Sequence, residues 1–501
     1  MTTDGSRRPD VVVVVMDCAR ADVFGHEVSA GARTPFLHGL RREAIEFSGA
    51  ISPGSWTIPS HASLFTGLYP WDHGAHYRSG TTLSPEPDTL ASYLNRAGYA
   101  TASFSANGYL QPASGLTRGF EEAVWGGDQE FFLRFLSRAS PSSPDLGGRS
   151  AAAFGRLPDS PKPSPFWNTG IALLSKYTAL WDGLNRVGAR VLGHPPSDLP
   201  LVAPWIEPRL EAWLTSLPAE RPAFAFVNLL EAHEPYLVDA GQPVSFRRWL
   251  SYLGDVQGEY VWVQGRWVPS AAEVDRSRER YARSFQAIDE RIRRLVGALQ
   301  RSGRWENTLF VLTSDHGQAF LEHETFYHRF RVDEEIVRIP LWLRGPGVAD
   351  PGGTVDRWVS LIDIPRTIVE LAGGQRFGDP SARSLLAPDD GALERPVFAM
   401  TEGLNPTEVR ELRADRRELL DRLELAAYLG RYKSVAQKGG PPVVVTASSR
   451  EVTPSLGPAG DSAGSRAVAQ LAQEMLDRIE AKIASTPARA SVLKRLAGWG
   501  Y

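Results

Sequence analysis

Cysteine and long apolar runs are the scarcest features of this 501-residue chain. Its one cysteine, Cys18, excludes an internal disulfide framework and any zinc site built from several cysteines. The unbroken apolar run from Val11 to Met16 is only six residues long. No segment approaches the ~20 apolar residues that a membrane-spanning helix needs. An arginine pair near the amino terminus is not followed by an apolar stretch of signal-peptide length, so we expect a cytoplasmic protein without a membrane span.

An excess of charge of one sign is also missing. Lysine and arginine total 55, aspartate and glutamate total 58, and the formal net charge is -3. Because proteins that coat nucleic acid are normally clearly basic, we expect no nucleic-acid partner. Hydrophobic residues make up 42% and charged residues 23%, as in ordinary soluble globular proteins. A chain of this length and composition can bury a large core, which excludes disorder as its main state.

Short apolar runs alternate with helical patterns along most of the chain. Such runs are typical of buried strands in a parallel sheet. We predict strands at Val11–Met16, Ala100–Ser105, Ala223–Leu229 and Thr308–Thr313. The alternation predicts a doubly wound α/β sheet, in which ligands bind beyond the carboxyl ends of the strands.

Three segments depart from this alternation. Residues 139–165 are rich in proline, serine and glycine, which predicts a long loop. Residues 237–270 carry three tryptophans, and we interpret them as an insertion that forms a lid over the site. The charged stretch Ala271–Arg301 predicts a long helix with one solvated face.

The pattern changes again near residue 395. We therefore predict a catalytic domain over residues 8–394 and a smaller carboxyl-terminal subdomain over residues 395–501. The elements predicted for the subdomain are strands at Pro396–Met400, Tyr432–Ala436 and Pro442–Thr446, and a helix near Ala467–Ala484.

Carboxylates at strand ends are the first chemical signal. Asp17 directly follows the run VVVVVM, and Asp315 and His316 closely follow the strand TLFVLT. An aspartate in such a position often only caps a loop, but a carboxylate and an imidazole side by side are a more specific arrangement. These oxygen and nitrogen donors suit Zn²⁺ or Mn²⁺, and the histidine makes Mg²⁺ or Ca²⁺ less favoured.

The segment GSWTIPSHASLFTG, residues 54–67, is the second chemical signal. Ser55, Thr57 and Ser60 offer hydroxyls at a turn, and Pro59 suits the first turn of a helix. A hydroxyl at the amino end of a helix faces the positive end of its dipole, which favours a bound anion and a developing alkoxide. Ordinary helix capping by serine or threonine is the alternative.

In combination, these motifs resemble the alkaline phosphatase superfamily, and most closely its sulfatase-like branch. The resemblance covers most of the chain and rests on several motifs in the same order. They include RPDVVVVVMDCARAD, SWTIPSHASLFTGLYPWDHGAH, LLEAHEPY, LTSDHGQAFLEHETFYHRF and SLIDIPRTIVELAGG. The resemblance implies an alkaline phosphatase-like mixed, mostly parallel sheet flanked by helices, with a smaller carboxyl-terminal α+β subdomain.

The resemblance also implies a metal site and a nucleophile. One divalent metal ion would be surrounded by Asp17, Thr57, Asp315 and His316, and Thr57 occupies the position of the family's nucleophile. By the donor types given above, Zn²⁺ or Mn²⁺ is the expected ion, with Ca²⁺ or Mg²⁺ as alternatives.

Further residues match the substrate side of the family's site. His233 and His328 would be catalytic groups that contact the substrate or, in some branches, hold a second metal ion. Asn107 and Arg329 would bind the substrate. His61 is a weaker candidate for the same role, and it stands where the sulfatase signature has an arginine.

Thr57 is where the sequence departs from the sulfatases, which carry a cysteine or serine that is oxidised to formylglycine. A threonine cannot become that aldehyde hydrate, and a sulfated threonine cannot release sulfate by elimination. A phosphorylated threonine can be cleaved by water, and threonine nucleophiles occur in the phosphodiesterase and phosphoethanolamine-transferase branches. We therefore favour a hydrolase of phosphate diesters or of phosphonate and phosphate esters.

Three alternatives stay open at this point. They are a sulfate-ester hydrolase, a phosphoryl-group transferase, and a pseudoenzyme that binds an anionic ligand without turnover. In the first two cases, as in the favoured one, the partner is a small anionic ester. The sequence does not determine the oligomeric state.

Overall fold

Two sheets, a short hairpin and flanking helices make up the chain in a computed structural model, which describes residues 8–77, 81–125, 203, 205–234, 236, 262–387, 395–404, 412–448 and 462–485. The strands are β1 (Asp10–Met16), β2 (Ile45–Ile51), β3 (Ala100–Ser105), β4 (Glu122–Trp125), β5 (Ala223–Leu229), β6 (Thr308–Thr313), β7 (Ala319–Phe320), β8 (Phe326–Tyr327), β9 (Leu341–Arg344), β10 (Thr354–Ser360), β11 (Val397–Thr401), β12 (Glu424–Leu429), β13 (Tyr432–Gln437) and β14 (Val443–Thr446). The α-helices are α1 (Ala21–Ala30), α2 (Pro35–Leu40), α3 (Thr57–Thr66), α4 (Pro70–His73), α5 (Leu90–Arg96), α6 (Ile206–Ser216), α7 (Ala271–Arg301), α8 (Glu334–Val337), α9 (Asp363–Leu371), α10 (Ala414–Leu420) and α11 (Ala463–Ser485).

The main sheet has eight strands within the described residues, in the order β10-β2-β9-β6-β1-β5-β3-β4. Strand β9 runs antiparallel to β2 and β6, and the other neighbouring pairs are parallel. Strand β1 lies in the middle, where Val13 pairs with Phe226 on one side and with Val311 on the other. This topology confirms the mixed, mostly parallel sheet expected from the sequence.

Burial on both faces explains the run of valines in β1. Successive side chains of a strand point to opposite faces, so Val12 and Val14 join one hydrophobic core and Val11 and Val13 join the other. Helices α1, α2, α6 and α7 cover the first face, and α3, α5 and α9 cover the second. The bounds predicted for β3, β5 and β6 are confirmed, and β1 begins one residue earlier than predicted. Strands β2, β9 and β10 are not predicted from the sequence, because each is either short or partly exposed and so lacks a long apolar run.

Helix α7 has the solvated face that its sequence predicts. It begins with a capping box in which Ser270 and Glu273 bind each other's backbone N–H groups. Phe285 and Ile292 are fully buried in the core, whereas Glu290 lies on the solvent side and pairs with nearby arginines. The charge run is therefore the outer surface of a helix that packs against the sheet.

A second, antiparallel sheet follows in the order β11-β12-β13-β14. Leu425 of β12 shares a hydrophobic core with Val468 and Leu476 of α11. The backbone N–H of Met400 in β11 donates to the carbonyl of Pro53 at 2.9 Å, so this sheet adjoins the segment that leads from β2 to α3. The carboxyl-terminal subdomain expected from the sequence is confirmed, with β12 as an additional strand. Its predicted boundary at residue 395 stays a prediction.

Two predicted segments lie mostly outside the described residues. The loop at 139–165 is entirely outside, and of the insertion at 237–270 only residues 262–270 are described. In that described part, Trp262 is buried against the rings of Tyr327 and Phe330. Among the helices in the ranges given above, none is both long enough and apolar enough to cross a membrane.

A buried ion pair between Asp10 and Arg304 lies at the edge of the main sheet where strands β1 and β5 begin. Nη1 of Arg304 lies 3.1 Å from Oδ1 of Asp10, which also accepts the backbone N–H of Ala223 at 2.7 Å. The side chains of Asp10 and Arg304 are 0% and 4% exposed. The pair joins the start of β1 to the start of β5 and to the turn between α7 and β6.

Replacing Asp10→Ala should destabilise the protein by about 3–5 kcal/mol, because the buried guanidinium of Arg304 loses its counter-charge. Unfolding in urea, followed by circular dichroism, measures the change. The control is Glu306→Ala, which removes an exposed partner of Arg344 and should cost less than about 1 kcal/mol. Equal losses in the two variants would contradict a structural role for the buried pair.

Candidate active site

Four adjacent parallel strands, β6, β1, β5 and β3, end at the same edge of the main sheet. The segments that follow them carry, in that order, Asp315 and His316, Asp17, His233, and Asn107. Loops after parallel strands converge at this edge, which is where open α/β sheets bind ligands. The topology therefore brings together most of the side chains that the sequence predicts for catalysis and metal binding.

Asp17, Asp315 and His316 form a fully buried cluster. Nε2 of His316 lies 3.2 Å from Oδ2 of Asp315 and 3.8 Å from Oδ1 of Asp17. Nδ1 of His316 lies 3.0 Å from the carbonyl of Gly317, so in the neutral ring Nδ1 donates there and Nε2 keeps its lone pair. Among the described residues, Nε2 of His316 and Oδ2 of Asp315 have no hydrogen-bond partner. Buried acceptor atoms without donors, next to a second carboxylate, fit a divalent cation.

The members of this cluster shift each other's pKa values. Burial by itself raises the pKa of Asp315, but the adjacent His316 lowers it below its ordinary value. Burial acts to lower the pKa of His316, and the carboxylates of Asp315 and Asp17 raise it above its ordinary value instead. Without a metal ion, these shifts favour a charged imidazolium of His316 beside the two carboxylates. A bound cation would replace that proton, because only the neutral imidazole binds a metal.

Two amide side chains orient Asp17. Asn107 donates from Nδ2 to Oδ2 of Asp17 at 2.8 Å, and Asn228 donates to the same oxygen at 3.2 Å. These bonds leave Oδ1 facing Cys18 and His316. The sequence predicts Asn107 as a substrate-binding residue, and in the structure its amide lies on Asp17. Sequence reasoning misses Asn228, because one asparagine inside an apolar strand forms no motif.

Thr57 is the first residue of α3, and all ten residues of this helix are buried. One turn later, Nδ1 of His61 lies 2.9 Å from the carbonyl of Thr57 and 3.5 Å from Oδ2 of Asp315. The His61 ring packs edge-on against Phe226, with the ring centroids 5.7 Å apart. His61, predicted to bind substrate, is thus a buried link between the first turn of α3 and the acidic cluster.

Cys18 lies at the centre of the site in a left-handed backbone conformation, with φ +63°. Its N–H donates to Oδ1 of Asp315 at 3.3 Å, and its carbonyl accepts the hydroxyl of Tyr281 at 2.7 Å. Such strained backbone persists where the surrounding structure holds it, which is common at functional sites. The sulfur lies 3.7 Å from Nδ1 of His316 and 3.9 Å from Nδ1 of His328. Burial raises the pKa of Cys18 well above its ordinary value, so the group is a neutral thiol.

His233 and His328 flank the cluster, and their pKa values are shifted in opposite directions. Their ring centroids are 5.4 Å apart, and the His328 ring stacks on His316 at 4.5 Å. Burial and the neighbouring histidines lower the pKa of His328 well below its ordinary value, and its Nδ1 lies 3.1 Å from Oε1 of Gln318. Burial also acts to lower the pKa of His233, but Glu234 reverses the shift and raises it. A second group of possible metal ligands, with atoms within 4.8 Å of one another, consists of Cys18, His233, Glu234 and His328.

Arg329 lies beside the segment that leads into α3. Its backbone has φ +88°, and its carbonyl accepts the hydroxyls of Ser55, at 2.8 Å, and of Thr401. Its guanidinium donates to the hydroxyl of Tyr77, whose ring stacks on Trp56 at 4.1 Å. Arg329 is therefore fixed by the segment before α3, by Tyr77 and by strand β11 of the second sheet. Sequence reasoning misses Tyr77, because its contact with Arg329 joins two distant segments.

A profile of the Sulfatase family matches residues 9–139 and 205–374, more than half of the chain. This chain belongs to the sulfatase family. Every site residue that the sequence predicts lies inside the two matched ranges. Members of the family are hydrolases, and the groups of possible metal ligands in this chain agree with the metal dependence of the family.

Curated relatives of this sulfatase-family chain are distant in sequence. Arylsulfatase K of Gallus gallus is 25% identical over 395 residues, which are 76% of this chain and 66% of the relative. Steryl-sulfatase of Mus musculus is 25% identical over 412 residues, 74% of this chain and 63% of the relative. The multifunctional alkaline phosphatase superfamily protein PehA of Trinickia caryophylli is 24% identical over 421 residues, 76% of each chain. This chain spans slightly less than two thirds of the two sulfatases.

Solved structures share the fold over nearly the whole length. The phosphonate monoester hydrolase SpPMH from Silicibacter pomeroyi has a TM-score of 0.63 at 20% identity, covering 95% of this chain and 96% of the other. BT1596, a 2-O GAG sulfatase, has a TM-score of 0.61 at 14% identity, covering 97% and 96%. The fold of this sulfatase-family chain is therefore alkaline phosphatase-like.

Helix α3 is supported from behind by His73. Nε2 of His73 lies 3.1 Å from Oγ of Ser63 and 3.2 Å from the carbonyl of Pro59. Its Nδ1 accepts the backbone N–H of Ala75 at 3.0 Å. Burial lowers the pKa of His73 to about 3, so the ring is neutral in the folded protein.

Acid should destabilise the protein through His73. The unfolded chain binds a proton near pH 6.5, whereas folded His73 stays neutral down to about pH 3. The contribution of His73 to the free energy of unfolding is therefore fully present above pH 6.5. Below that pH it falls by up to about 1.4 kcal/mol per pH unit. We expect His73→Gln to lose less stability than the unsubstituted protein between neutral pH and about pH 4.5, as measured by urea unfolding. The exposed control His26→Gln should follow the unsubstituted protein, and parallel pH dependence in all three would refute the role of His73.

Proposed function

We propose that this chain is a metal-dependent hydrolase of phosphate diesters or of phosphonate and phosphate esters, with Thr57 as the nucleophile. The observation that supports the proposal is the position of Thr57 at the amino terminus of α3, near the acidic cluster. Nδ1 of His61 lies 2.9 Å from the carbonyl of Thr57 and 3.5 Å from Oδ2 of Asp315. Thr57 is the first residue of α3, at the positive end of the helix dipole, and the acidic cluster of Asp17, Asp315 and His316 is suited to a cation. Both a helix dipole and a bound cation stabilise an alkoxide and a bound anionic ester.

Asp17, Thr57, Asp315 and His316 would hold one divalent ion. Such an ion supplies Lewis-acid chemistry, because it lowers the pKa of the threonine hydroxyl and stabilises charge on the ester oxygens. The chain's own residues prepare the site, since Asn107 orients the carboxylate of Asp17 and the carbonyl of residue 317 fixes the ring of His316. The nitrogen donor favours Zn²⁺ or Mn²⁺ over Ca²⁺ or Mg²⁺.

The reaction would proceed in two displacements at phosphorus. In the first, Oγ1 of Thr57, having released its proton to solvent, forms a bond to phosphorus while the bond from phosphorus to the leaving oxygen breaks. His233 donates a proton to that oxygen, which departs as an alcohol. In the second, water attacks the phosphothreonine and gives a proton to His328, the bond to Oγ1 breaks to return the alkoxide of Thr57, and phosphate, its monoester or a phosphonate is released. His328 then loses its proton to solvent and His233 takes one up, which restores the starting state.

The two histidines suit different roles in these steps. Burial acts to lower the pKa of His233, but Glu234 raises it above its ordinary value, which favours the protonated form that a general acid needs. Its Nδ1 lies 2.9 Å from the carbonyl of Glu234, which leaves Nε2 as the donating atom. His328 is neutral, and its Nδ1 is held by Gln318, so its Nε2 can accept a proton from the attacking water. The sequence alone assigns the same catalytic role to His233 and His328 and does not say which of them is the acid.

Arg329 and the amino terminus of α3 would bind the remaining oxygens of the ester. The guanidinium of Arg329 is a planar fork of donors that matches two oxygens of a tetrahedral anion. Ser55 and Thr401 hold its backbone, and Tyr77 accepts one of its N–H groups. This support keeps the fork in one orientation, which lowers the entropy cost of binding the anion.

A sulfate-ester hydrolase is the second candidate, favoured by the names of the relatives arylsulfatase K and steryl-sulfatase. The side chain of Thr57 argues against it, since threonine lacks the route by which a formylglycine hydrate expels sulfate. The names of PehA and of the phosphonate monoester hydrolase SpPMH support phosphorus chemistry on the same fold. A pseudoenzyme is disfavoured by the intact Asp17, Asp315 and His316 cluster. Location in the cytoplasm stays a prediction from the sequence.

Thr57→Ala should lower the hydrolysis rate on the preferred substrate on the order of 10³-fold or more, because the nucleophile is lost. Initial rates are measured on matched aryl phosphodiester, phosphonate, phosphomonoester and sulfate esters. Thr57→Ser keeps a hydroxyl and should retain a measurable share of the activity. Thr215→Ala, on the exposed side of α6, is the surface control.

Two outcomes would contradict the threonine mechanism. Sulfate turnover that survives Thr57→Ala would favour direct attack by water on the bound ester. Product that forms only when an acceptor alcohol is supplied would make the protein a transferase.

Removal of metal should abolish turnover, and Zn²⁺ or Mn²⁺ should restore more activity than Mg²⁺, because His316 supplies a nitrogen donor. The protein is treated with a chelator, dialysed, verified by elemental analysis and assayed with each ion in turn. Asp315→Asn removes one ligand charge and should raise the metal concentration needed for half-maximal activity. Full activity of protein shown to be metal-free would refute metal dependence.

A further inference from the structure

A cavity of about 610 Å³ lies between the β7–β8 hairpin, helix α8 and the second sheet. Its described lining carries six carboxylates against four guanidinium or ammonium groups, together with His323. None of the residues proposed for catalysis is among those that line it. The cavity is therefore a separate acidic region beside the second sheet.

Three side chains of this lining form a compact donor group. His323, Asp333 and Glu335 each place one ligand atom within 4.8 Å of the others. His323 belongs to the turn of the hairpin, and its Nε2 lies 3.8 Å from Oε1 of Glu335, which is too far for a hydrogen bond. One imidazole nitrogen and two carboxylates are a donor set that binds Zn²⁺ with water in the remaining position.

Glu335 supplies an independent reason to expect a bound cation. Its side chain is 8% exposed, and its Oε1 has no hydrogen-bond partner among the described residues. A buried carboxylate oxygen without a donor costs free energy that a ligand would recover. The cations nearby are engaged elsewhere, since Arg20 binds Glu322 and Lys433 binds Glu334.

Asp333 keeps an oxygen for the same ion. Arg331 donates from Nε to Oδ2 of Asp333 at 2.8 Å, and Oδ1 is not used in that bond. An organic ammonium group could also bind in an acidic cavity, but carboxylates alone would be enough to hold it. The nitrogen of His323 instead favours a transition metal over Ca²⁺, Mg²⁺ or an amine. We propose that His323, Asp333 and Glu335 bind a Zn²⁺ ion at this second site, apart from the active site.

The ion would fix the hairpin that leads to the active site. It would join the turn of the β7–β8 hairpin to the segment 333–335, and the strand β8 is directly followed by His328 and Arg329. The backbone N–H of Gln318 already donates to the carbonyl of Glu335 at 2.9 Å, and Gln318 holds His328. The second site is thus a structural clamp for the two residues that would accept a proton and bind the ester. The inference does not depend on the reaction proposed above.

The test uses the 501-residue chain with metal binding at the catalytic site weakened by Asp315→Asn, and its readouts, bound zinc and thermal unfolding, do not involve turnover. After chelation, the protein is dialysed against Zn²⁺, and bound zinc is measured by elemental analysis and titration calorimetry. The double substitution His323→Gln and Glu335→Gln, in the same background, should bind one zinc ion per chain fewer. Zn²⁺ should raise the midpoint of thermal unfolding in the parent, and this shift should be lost in the double variant.

Two control variants distinguish a specific zinc site from nonspecific zinc binding. His323→Gln alone changes a partly exposed side chain, so it should fold normally and still weaken zinc binding on the order of 100-fold. His26→Gln, an exposed histidine elsewhere, should leave stoichiometry and thermal shift unchanged. Equal stoichiometry in parent and double variant, or a thermal shift that survives the double substitution, would overturn the proposal. Binding of Ca²⁺ in preference to Zn²⁺ would overturn it as well.

Discussion

The electrostatic contact between Asp17, Asp315 and His316 is the constraint on which the rest of the site depends. The parallel register of β6 and β1 places the buried carboxylates of Asp17 and Asp315 beside the same histidine ring. Like charges repel strongly in a medium of low dielectric. The cluster is tolerable only with a compensating positive charge, either a proton on His316 or a metal ion. The amides on Asp17 and the backbone of Cys18 around Asp315 then set which oxygen atoms stay available.

The surrounding elements restrain Thr57 and Arg329, the residues proposed as nucleophile and anion-binding group. Helix α3 is wholly buried, and Nδ1 of His61 lies 2.9 Å from the carbonyl of Thr57, so the packing of the helix restrains Thr57. Arg329 comes from a different segment and is held by Ser55 and by Thr401 of the second sheet. The second sheet is therefore part of the site's support, and it also encloses the acidic cavity where we place a Zn²⁺ clamp.

Much of the fold was predictable, because the buried strands at the centre of the sheet are apolar throughout. Strands β3, β5 and β6 have the predicted bounds, and helix α7 agrees residue for residue. The strands that escaped prediction, such as Thr354–Ser360, are exposed over part of their length and carry polar residues there. Glu424–Leu429 was also missed; its first five residues are buried by the two neighbouring strands and α11, and Leu429 is partly exposed.

The sequence by itself determined the chemistry that is available: two strand-end aspartates beside a histidine, a threonine at a helix start, and a family likeness that orders them along the chain. These are local features, since each follows from residues next to one another. Only the tertiary structure decided which groups touch. It placed Asn107 on Asp17, made His61 a link behind Thr57, and gave His233 and His328 opposite shifts in pKa. Those outcomes depend on burial and on distances between segments far apart in the chain, which no local pattern encodes.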